Sequence, residues 1–244
     1  MTENKIPENI ILTWKDNSIP NYIFERIKLL NPEKKIIFFT DEDIINFLLK
    51  NYNLDYVNFF NRLDFGRYKA DFFRYCYLYK KGGYYVDIDI EFICPINDIL
   101  EKDIEFFSVI GDKNKGHIFQ ALLFVKPNNI IIKNCITSMF YHGPKIGLDR
   151  HKFPIKSMYD NIYKFTNEIP KMGIIYKNNL KIQLAEELKI NDRYTILYKS
   201  RKIGFSRYLN YDRYYGFNKT LNQKLIEIIG IFLIFGIICF IIIF

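Results

Sequence analysis

The sequence has few of the residues on which disulfide frameworks and zinc sites depend. Its four cysteines, Cys76, Cys94, Cys135 and Cys239, are scattered over the 244 residues and form no CxxC pair. This scatter favours free thiols in a reducing compartment. The three histidines, at positions 117, 142 and 151, show no spacing typical of a zinc site either.

Several nucleic-acid and phosphate motifs are also missing. No RGG segment, zinc-finger spacing, RNP-like stretch or P-loop is present, so neither a nucleic-acid partner nor a P-loop phosphoryl-transfer enzyme is predicted. Lysine and arginine nevertheless outnumber the acidic residues 35 to 27, which gives a formal charge of +8. This excess favours an anionic partner such as a nucleotide or a phospholipid head group, with a solvated lysine-rich surface as the alternative.

The hydrophobic pattern predicts an α/β fold of the Rossmann-like kind, with a mostly parallel central sheet flanked by helices. Predicted strands cover 9–14, 34–40, 105–110 and 118–125, and one lies near 194–200. Predicted helices cover 20–30, 41–50, 62–81 and 128–141, and short helices fill much of 145–222. Thr40 is placed to cap the second helix, and Gly82-Gly83 to end the third.

A hydrophobic run without any charge, IIGIFLIFGIICFIIIF, occupies residues 228–244. As a helix it would measure about 25 Å, close to the thickness of a hydrocarbon core. We therefore predict a catalytic domain at 1–222 and a single-pass membrane anchor at 225–244, with a buried core helix as the alternative. MTENKIPENIILTW lacks the features of a signal peptide, and Arg207, Arg213, Lys219 and Lys224 favour a cytoplasmic domain.

The stretch GGYYVDIDIEF, residues 82–92, contains a run of alternating acids. Read as one strand, it places Asp87, Asp89 and Glu91 on the same face, with neighbours about 7 Å apart. Two aspartates in this arrangement could share a divalent cation, and their hard oxygen ligands suit Mn²⁺ or Mg²⁺. The alternative is a solvated strand face.

The predicted helix before this stretch carries four charged residues on one face: Asp64, Arg67, Asp71 and Arg74. Asp64 and Arg67 are consistent with salt bridges along the exposed face of the helix. Asp71 and Arg74 lie in a part of the helix that is apolar nearly all round, and buried charges require partners or ligands. Asp71 and Arg74 are therefore candidate site residues.

The segment ADFFRYCYLYKKGGYYVDID resembles the signature of the DxD-containing sugar transferases of glycosyltransferase family 32, which includes Golgi-type α-mannosyltransferases. More distantly, it is similar to the glucosylating domains of large toxins. The matching positions are Ala70, Asp71, Arg74, Leu78, Tyr79, Gly82, Gly83, Tyr85, Asp87 and Asp89. IPENIILTW is similar to the opening strand of the family, so the resemblance covers about residues 6–100. It implies a GT-A fold and metal-dependent transfer of a sugar, with retention, from a UDP- or GDP-sugar donor.

The resemblance also implies a role for each site residue. Trp14 would stack on the base of the donor, although a core indole is the alternative. Asp71 and Arg74 would bind the donor sugar's hydroxyl groups. Asp89 would be the direct metal ligand, and Asp87 would contact the ribose or reach the metal through water. The predicted catalytic residues are Asp71, Arg74, Asp87 and Asp89. Glu91 has no role in the family.

The sequence departs from the family pattern after residue 120. Family members end the catalytic domain with a His-rich stretch and Ser-Trp, and the nearest counterpart here is 210–220, with Asp212 or Asn218 as substitutes. Gly143-Pro144 only loosely resembles an acceptor-side turn. A catalytically degenerate protein that binds nucleotide-sugars or acts as a membrane scaffold is therefore the alternative. The acceptor could be a glycan, a lipid-linked glycan or a glycoprotein.

Overall fold

The computed structural model describes residues 5–63, 66–111, 116–143 and 153–206. The helices are α1 Asn21–Leu30, α2 Asp41–Asn51, α3 Leu54–Asn61, α4 Gly66–Lys81, α5 Ile130–His142 and α6 Phe153–Thr166. The strands are β1 Asn9–Thr13, β2 Lys35–Phe39, β3 Gly83–Val86, β4 Glu91–Phe92, β5 Phe106–Ile110, β6 Ile118–Val125, β7 Gly173–Lys177, β8 Leu180–Ile190, β9 Arg193–Tyr198 and β10 Arg201–Ser206.

The N-terminal part forms the predicted β-α-β-α unit. β1 pairs in parallel with β2 on one side and with β3 on the other. The Thr40 side chain accepts a hydrogen bond from the backbone of Asp43, and the Asp43 side chain accepts one from the backbone of Thr40. This capping box stabilises the start of α2 as expected, because it satisfies backbone N–H groups that have no partner inside the helix.

The sheet as a whole is mixed, so the prediction of a mostly parallel sheet was wrong. Its strand order is β2-β1-β3-β6-β5-β8-β9-β10-β4, with β7 paired to β8. Only β1 with β2, β1 with β3, and β5 with β8 are parallel pairs. The other six pairings are antiparallel.

Two-residue turns explain the antiparallel half of the sheet. The turns between β7 and β8, β8 and β9, and β9 and β10 consist of Asn178-Asn179, Asn191-Asp192 and Lys199-Ser200. Both residues of each turn have positive φ, as in the type I′ turns that join antiparallel strands. Our sequence prediction missed these turns and expected one strand where β7 to β10 form four.

The predicted helix over 62–81 corresponds to α4, whereas α3, which precedes it, was not predicted. α3 ends at Asn61, and α4 begins at Gly66. The Asn53 side chain caps α3 by accepting hydrogen bonds from the backbone N–H groups of Asp55 and Tyr56. At the other end, Gly82 follows α4 with φ +65°, in agreement with the predicted glycine stop.

Helix α4 lies at the centre of the core. It packs against α5, α2 and α3 as well as against β3 and β6. Phe72, Phe73 and Tyr75 are fully buried, which explains why its sequence is apolar nearly all round. This packing fixes the helix that carries Asp71 and Arg74 next to the end of β3.

Across the described ranges, none of the helices is both long and apolar enough to cross a membrane. The predicted anchor at 225–244 lies outside the described residues, as do Asp64, Pro144, Asp212, Asn218 and the basic residues that precede the anchor.

Candidate functional site

The two aspartates of the DxD motif lie on a turn. Strand β3 ends at Val86, and the Asp87 N–H donates to the Ala121 carbonyl at 2.8 Å. The Ile90 N–H then donates to the Asp87 carbonyl at 3.1 Å. We call residues 87–90 the DxD turn. The chain turns here because β3 pairs with β1 and β6, whereas β4 pairs with β10 at the end of the strand order.

The predicted stripe of three carboxylates on one continuous strand is therefore wrong. Asp89 is buried, with 5% of its surface exposed, and Asp87 is only partly buried. Glu91 lies beyond the turn, on β4, where its carboxylate is 3.2 Å from the guanidinium of Arg193. Glu91 is thus engaged by a neighbouring strand, consistent with its lack of a family role.

The guanidinium of Arg74 joins α4 to the DxD turn. Its Nη2 lies 3.2 Å from Oδ1 of Asp87 and 3.3 Å from Oδ1 of Asp71. Nη1 donates to the carbonyl of Gln120 on β6, and Nε donates to the carbonyl of Ala70 at 3.2 Å. With 3% of its side chain exposed, Arg74 is held in one orientation by these contacts. The structure thus brings together Asp71, Arg74 and Asp87, as the sequence predicted.

Tyr85 orients the carboxylate of Asp87. Its hydroxyl donates to Oδ1 of Asp87 at 2.8 Å and lies 3.0 Å from Oγ1 of Thr13 on β1. The guanidinium of Arg74 lies over the Tyr85 ring, 4.3 Å from its centroid. The sequence motif contained Tyr85, but this role was missed; the available signal was its position two residues before Asp87, where same-side neighbours on a strand occur.

Burial changes the protonation of Asp71. Desolvation raises its pKa to about 6, because the attraction of Arg74 only partly offsets burial and the Asp87 carboxylate adds repulsion. The pKa of Arg74 is raised despite the burial that would lower it, because Asp87, Tyr85 and Asp71 in their charged forms favour the cation. Arg74 is therefore a permanent positive charge, and Asp71 is a carboxyl that ionises near neutral pH.

Arg26 supports the DxD turn from helix α1. Its Nη2 donates to two backbone carbonyls of the turn, that of Ile88 at 3.2 Å and that of Ile90 at 2.8 Å. No sequence motif marks Arg26, and its partners in the turn are more than sixty residues away. We assign Arg26 as a positioning residue, because these two hydrogen bonds hold the backbone of the turn.

Trp14 lies at the same edge of the sheet as the DxD turn. It directly follows β1, whose residue Ile11 is paired with Tyr85 of the parallel strand β3. The carboxyl ends of parallel strands meet at one edge, where ligands bind in α/β sheets. The indole is half-buried, and its Nε1 donates to Oγ of Ser18 at 3.2 Å. The structure places Trp14 near the site but leaves its stacking role as a prediction.

Asp87 and Asp89 are the residues that could hold a divalent cation. Carboxylate oxygens are the ligands that Mg²⁺ and Mn²⁺ prefer, and Mg²⁺ is usually held by one or two carboxylates together with substrate phosphates. Within the described ranges, no cluster of three or more His, Cys, Asp or Glu side chains is placed to hold a metal ion. A cation held by these two aspartates would therefore need further oxygen ligands from a bound molecule.

Comparisons with known proteins agree with this geometry. Residues 19–105 match the family model described as a glycosyltransferase sugar-binding region containing DXD motif. Inositol phosphoceramide mannosyltransferase 1 of Schizosaccharomyces pombe is 33% identical over 104 residues, a match that covers 40% of this chain and 32% of that protein. An uncharacterized glycosyltransferase of Acanthamoeba polyphaga mimivirus is 26% identical over 175 residues, or 69% of each chain.

The fold is similar to that of a solved glycosyltransferase. PaToxG Glycosyltransferase superposes with a TM-score of 0.50 at 15% identity, over 65% of this chain and 69% of that chain. The chain spans about a third of the length of the S. pombe mannosyltransferase that it matches. Trp14 lies before the segment matched by the family model, whereas Arg26, Asp71, Arg74, Asp87 and Asp89 lie within it. The resemblance seen in the sequence is thus confirmed: residues 19–105 are similar to the sugar-binding region of the DXD-containing glycosyltransferases of family 32.

Proposed function

We propose that this protein is a metal-dependent retaining glycosyltransferase that moves a sugar from a UDP- or GDP-sugar to an acceptor. The supporting observation is that Arg74 lies within 3.3 Å of both Asp71 and Asp87, beside a turn that carries a second, buried aspartate. These residues come from two elements and converge at the carboxyl edge of the parallel strands, where α/β proteins bind ligands. The family match over residues 19–105 includes all of them.

Each side chain has a defined task in this proposal. Trp14 stacks on the nucleotide base, and Asp71 and Arg74 bind the hydroxyl groups of the donor sugar. Asp87 and Asp89 would hold a Mn²⁺ or Mg²⁺ ion, which would supply positive charge against the negative charge of the departing diphosphate. Tyr85 and Arg26 hold the DxD turn in place, so that little reorganisation is needed when the donor binds.

The transfer breaks the bond between the anomeric carbon and the phosphate oxygen, and its electron pair leaves with the nucleoside diphosphate. The acceptor hydroxyl oxygen bonds to the same face of the anomeric carbon, and its proton passes to the leaving phosphate. Positive charge develops on the sugar in such a transition state. The carboxylate of Asp71, which lies 3.3 Å from Arg74, would stabilise that charge once it is ionised.

The acceptor is a glycan, a lipid-linked glycan or a glycoprotein. We further propose that residues 225–244 tether the protein to a membrane by a single pass, with the catalytic domain on the cytoplasmic side. The uncharged run 228–244 and the basic residues before it support this arrangement. A lipid-linked acceptor would then lie in the membrane to which the protein is tethered.

A degenerate protein of the same fold, which binds the nucleotide-sugar without turnover, is the second candidate. It is favoured by the absence, within the described ranges, of a third metal-ligating side chain beside the two aspartates. The sequence also lacks the His-rich stretch and Ser-Trp that end the family's catalytic domain.

Release of nucleoside diphosphate from a panel of UDP- and GDP-sugars, with Mn²⁺ present, tests the proposal. One donor should be cleaved, and cleavage should be lost with a chelator or in Asp89→Asn. Asp192→Asn, at an exposed turn between β8 and β9, is the matched control and should keep full activity. Metal-dependent donor binding without release, even with acceptors added, would support the degenerate candidate instead.

A further inference from the structure

A groove separate from the DxD turn lies between helices α3 and α5. It has a volume of about 620 Å³ and is lined by Asp55, Asn58, Asn61, Arg62 and Phe140. This volume is in the range of about 300–1,000 Å³ that small-molecule sites occupy. We propose that this groove binds a saccharide. If the proposed function holds, this saccharide is part of the acceptor glycan.

The polar residues of the groove suit a neutral ligand rich in hydroxyl groups. Asn58 and Asn61 each offer a carbonyl acceptor and an amide donor, which together match a hydroxyl that both donates and accepts. Asp55 adds acceptors and Arg62 adds donors, so the formal charges of the lining cancel. A groove without net charge does not favour a phosphate or another polyanion over a sugar.

In the part of the chain that the structure describes, no hydrogen bond or ion pair joins these four polar side chains to one another, so their donors and acceptors remain available to a ligand. Within the described ranges, Asp55, Asn58 and Arg62 enter the hydrogen-bond network of α3 through their backbone only. Asp55, Asn58 and Asn61 lie on the exposed side of α3, and Arg62 directly follows the helix. Val57, Phe59 and Phe60 face the core. The polar groups thus reach the groove from one helix and the residue after it.

Phe140 supplies the apolar surface that the C–H face of a sugar ring requires. Its ring is stacked on that of Phe59, with centroids 5.2 Å apart, and lies 5.1 Å from that of Tyr56. This aromatic cluster fixes the ring, and the part of Phe140 that is not buried lines the groove. A flat apolar patch beside amide and carboxylate groups matches the two-sided chemistry of a sugar.

The position of the groove fits an acceptor rather than the donor. Phe59 of α3 packs on Phe72 of α4 with centroids 4.7 Å apart, and Phe72 is the neighbour of Asp71. The lining of the groove contains none of the residues that are predicted to bind the donor. A saccharide in the groove would therefore not compete with the donor for those side chains.

Saturation-transfer NMR on the full 244-residue chain tests the groove without any donor. The probes are methyl α-mannoside, methyl α-glucoside and their α-linked disaccharides, and any detergent used carries no sugar head group. At least one probe should bind, and Asn58→Ala should weaken its binding about three- to tenfold, as expected for one lost hydrogen bond. Asn46→Ala, an exposed asparagine in the middle of α2, is the matched control and should leave binding unchanged.

The other outcomes separate the two proposals. Absence of probe binding, or binding that is unaffected by both Asn58→Ala and Asp55→Ala, overturns the groove proposal. Displacement of the probe by UDP or GDP also overturns it, because it places the sugar in the donor site. If the probe binds, the groove variants weaken its binding, and the protein cleaves no donor, the result supports saccharide binding in the groove and contradicts only the proposed function.

Discussion

Arg74 and Asp87 form an ion pair with 3.2 Å between Nη2 and Oδ1, in which 3% of the arginine side chain and 25% of the aspartate side chain are exposed. Arg193 and Glu91 form a pair of the same length, and Glu91 is also 25% exposed, but 55% of the Arg193 side chain is exposed. The two pairs join the same kinds of group at the same distance and differ in the burial of the arginine. They therefore allow the energetic consequence of burial at the site to be measured.

Arg74→Met should destabilise the protein by about 3–5 kcal/mol, because it leaves the carboxylates of Asp71 and Asp87 desolvated without their cation. Arg193→Met should cost at most about 1 kcal/mol, since exposed ion pairs are weak. Urea unfolding of both variants measures the difference. Equal losses of stability would show that Arg74 does not organise the site as the contacts indicate.

The raised pKa of Asp71 predicts a characteristic dependence of stability on pH. Its pKa is about 6 in the folded chain against 3.8 for the free carboxyl, so the folded state holds the proton more tightly. Between about pH 4 and 6 the unfolded chain loses this proton first, and the contribution of Asp71 to stability falls by up to about 3 kcal/mol. The difference in unfolding free energy between the wild type and Asp71→Asn should therefore decrease over this window.

Asp43→Asn is the control for that measurement, with an effect of opposite sign. Hydrogen bonds from Thr40 hold the pKa of Asp43 below its ordinary value. Its contribution to stability is therefore present above about pH 4 and lost as the pH falls below that value. A difference curve for Asp71→Asn that rises with pH, as the Asp43→Asn curve does, would contradict the assigned burial of Asp71.

Arg26 offers a test of whether the DxD turn must be held in place. Arg26→Met removes the hydrogen bonds to the carbonyls of Ile88 and Ile90, at a cost of about 1.5–3 kcal/mol for charge-assisted bonds. We expect donor cleavage to fall as well, because the aspartates lose their fixed orientation. Lys28→Met, on the same helix, removes a 2.8 Å bond to the carbonyl of Lys34 away from the turn and should leave cleavage unchanged. Similar activities for the two variants would argue against a positioning role.

Trp14 can report on nucleotide binding directly, because it is the only tryptophan in the sequence. If the indole stacks on the base, addition of UDP or GDP should quench its fluorescence, and Trp14→Ala should weaken nucleotide binding more than Trp14→Phe. Binding detected by calorimetry without any change in emission would contradict stacking of Trp14 on the base.

The sequence predicted local features of this fold better than its long-range ones. The N-cap at Thr40 and the glycine after α4 were predicted because their signals lie within a few residues. By contrast, the alternation of acidic and apolar residues in GGYYVDIDIEF is compatible with one continuous strand and also with two strands separated by a turn. What ends β3 is the pairing of β4 with β10, more than a hundred residues further along.

The same distinction applies to the site. Asp71, Arg74 and Asp87 were predicted because charged residues in an apolar helix and a family motif mark them. The carbonyl of Gln120 and the side chain of Arg26 were not, because they reach the site through tertiary contacts alone. The order of the sheet likewise depends on which strands meet, and periodicity carries no information about that.

Alanine substitutions at two glycines distinguish the effect of backbone conformation from that of close packing in the strand that leads into the DxD turn. Gly83 has φ +121° and Gly173 has φ +129°, so alanine is strained at either position, by about 1–3 kcal/mol. A Cβ on Gly83 would also lie 2.9 Å from the carbonyl oxygen of Asn9 and 2.8 Å from Cδ1 of Ile11, whereas one on Gly173 would meet nothing within 4 Å.

Gly83→Ala should therefore lower the free energy of unfolding by clearly more than Gly173→Ala, and the excess is the cost of separating β3 from β1. Because β3 leads into the DxD turn, Gly83→Ala should also reduce donor cleavage in the fraction that remains folded, while Gly173→Ala should not. Urea unfolding and cleavage assays on the two variants measure both effects. Equal destabilisation would mean that the close approach of β1 and β3 is relaxed without cost, and that the position of the turn does not depend on it.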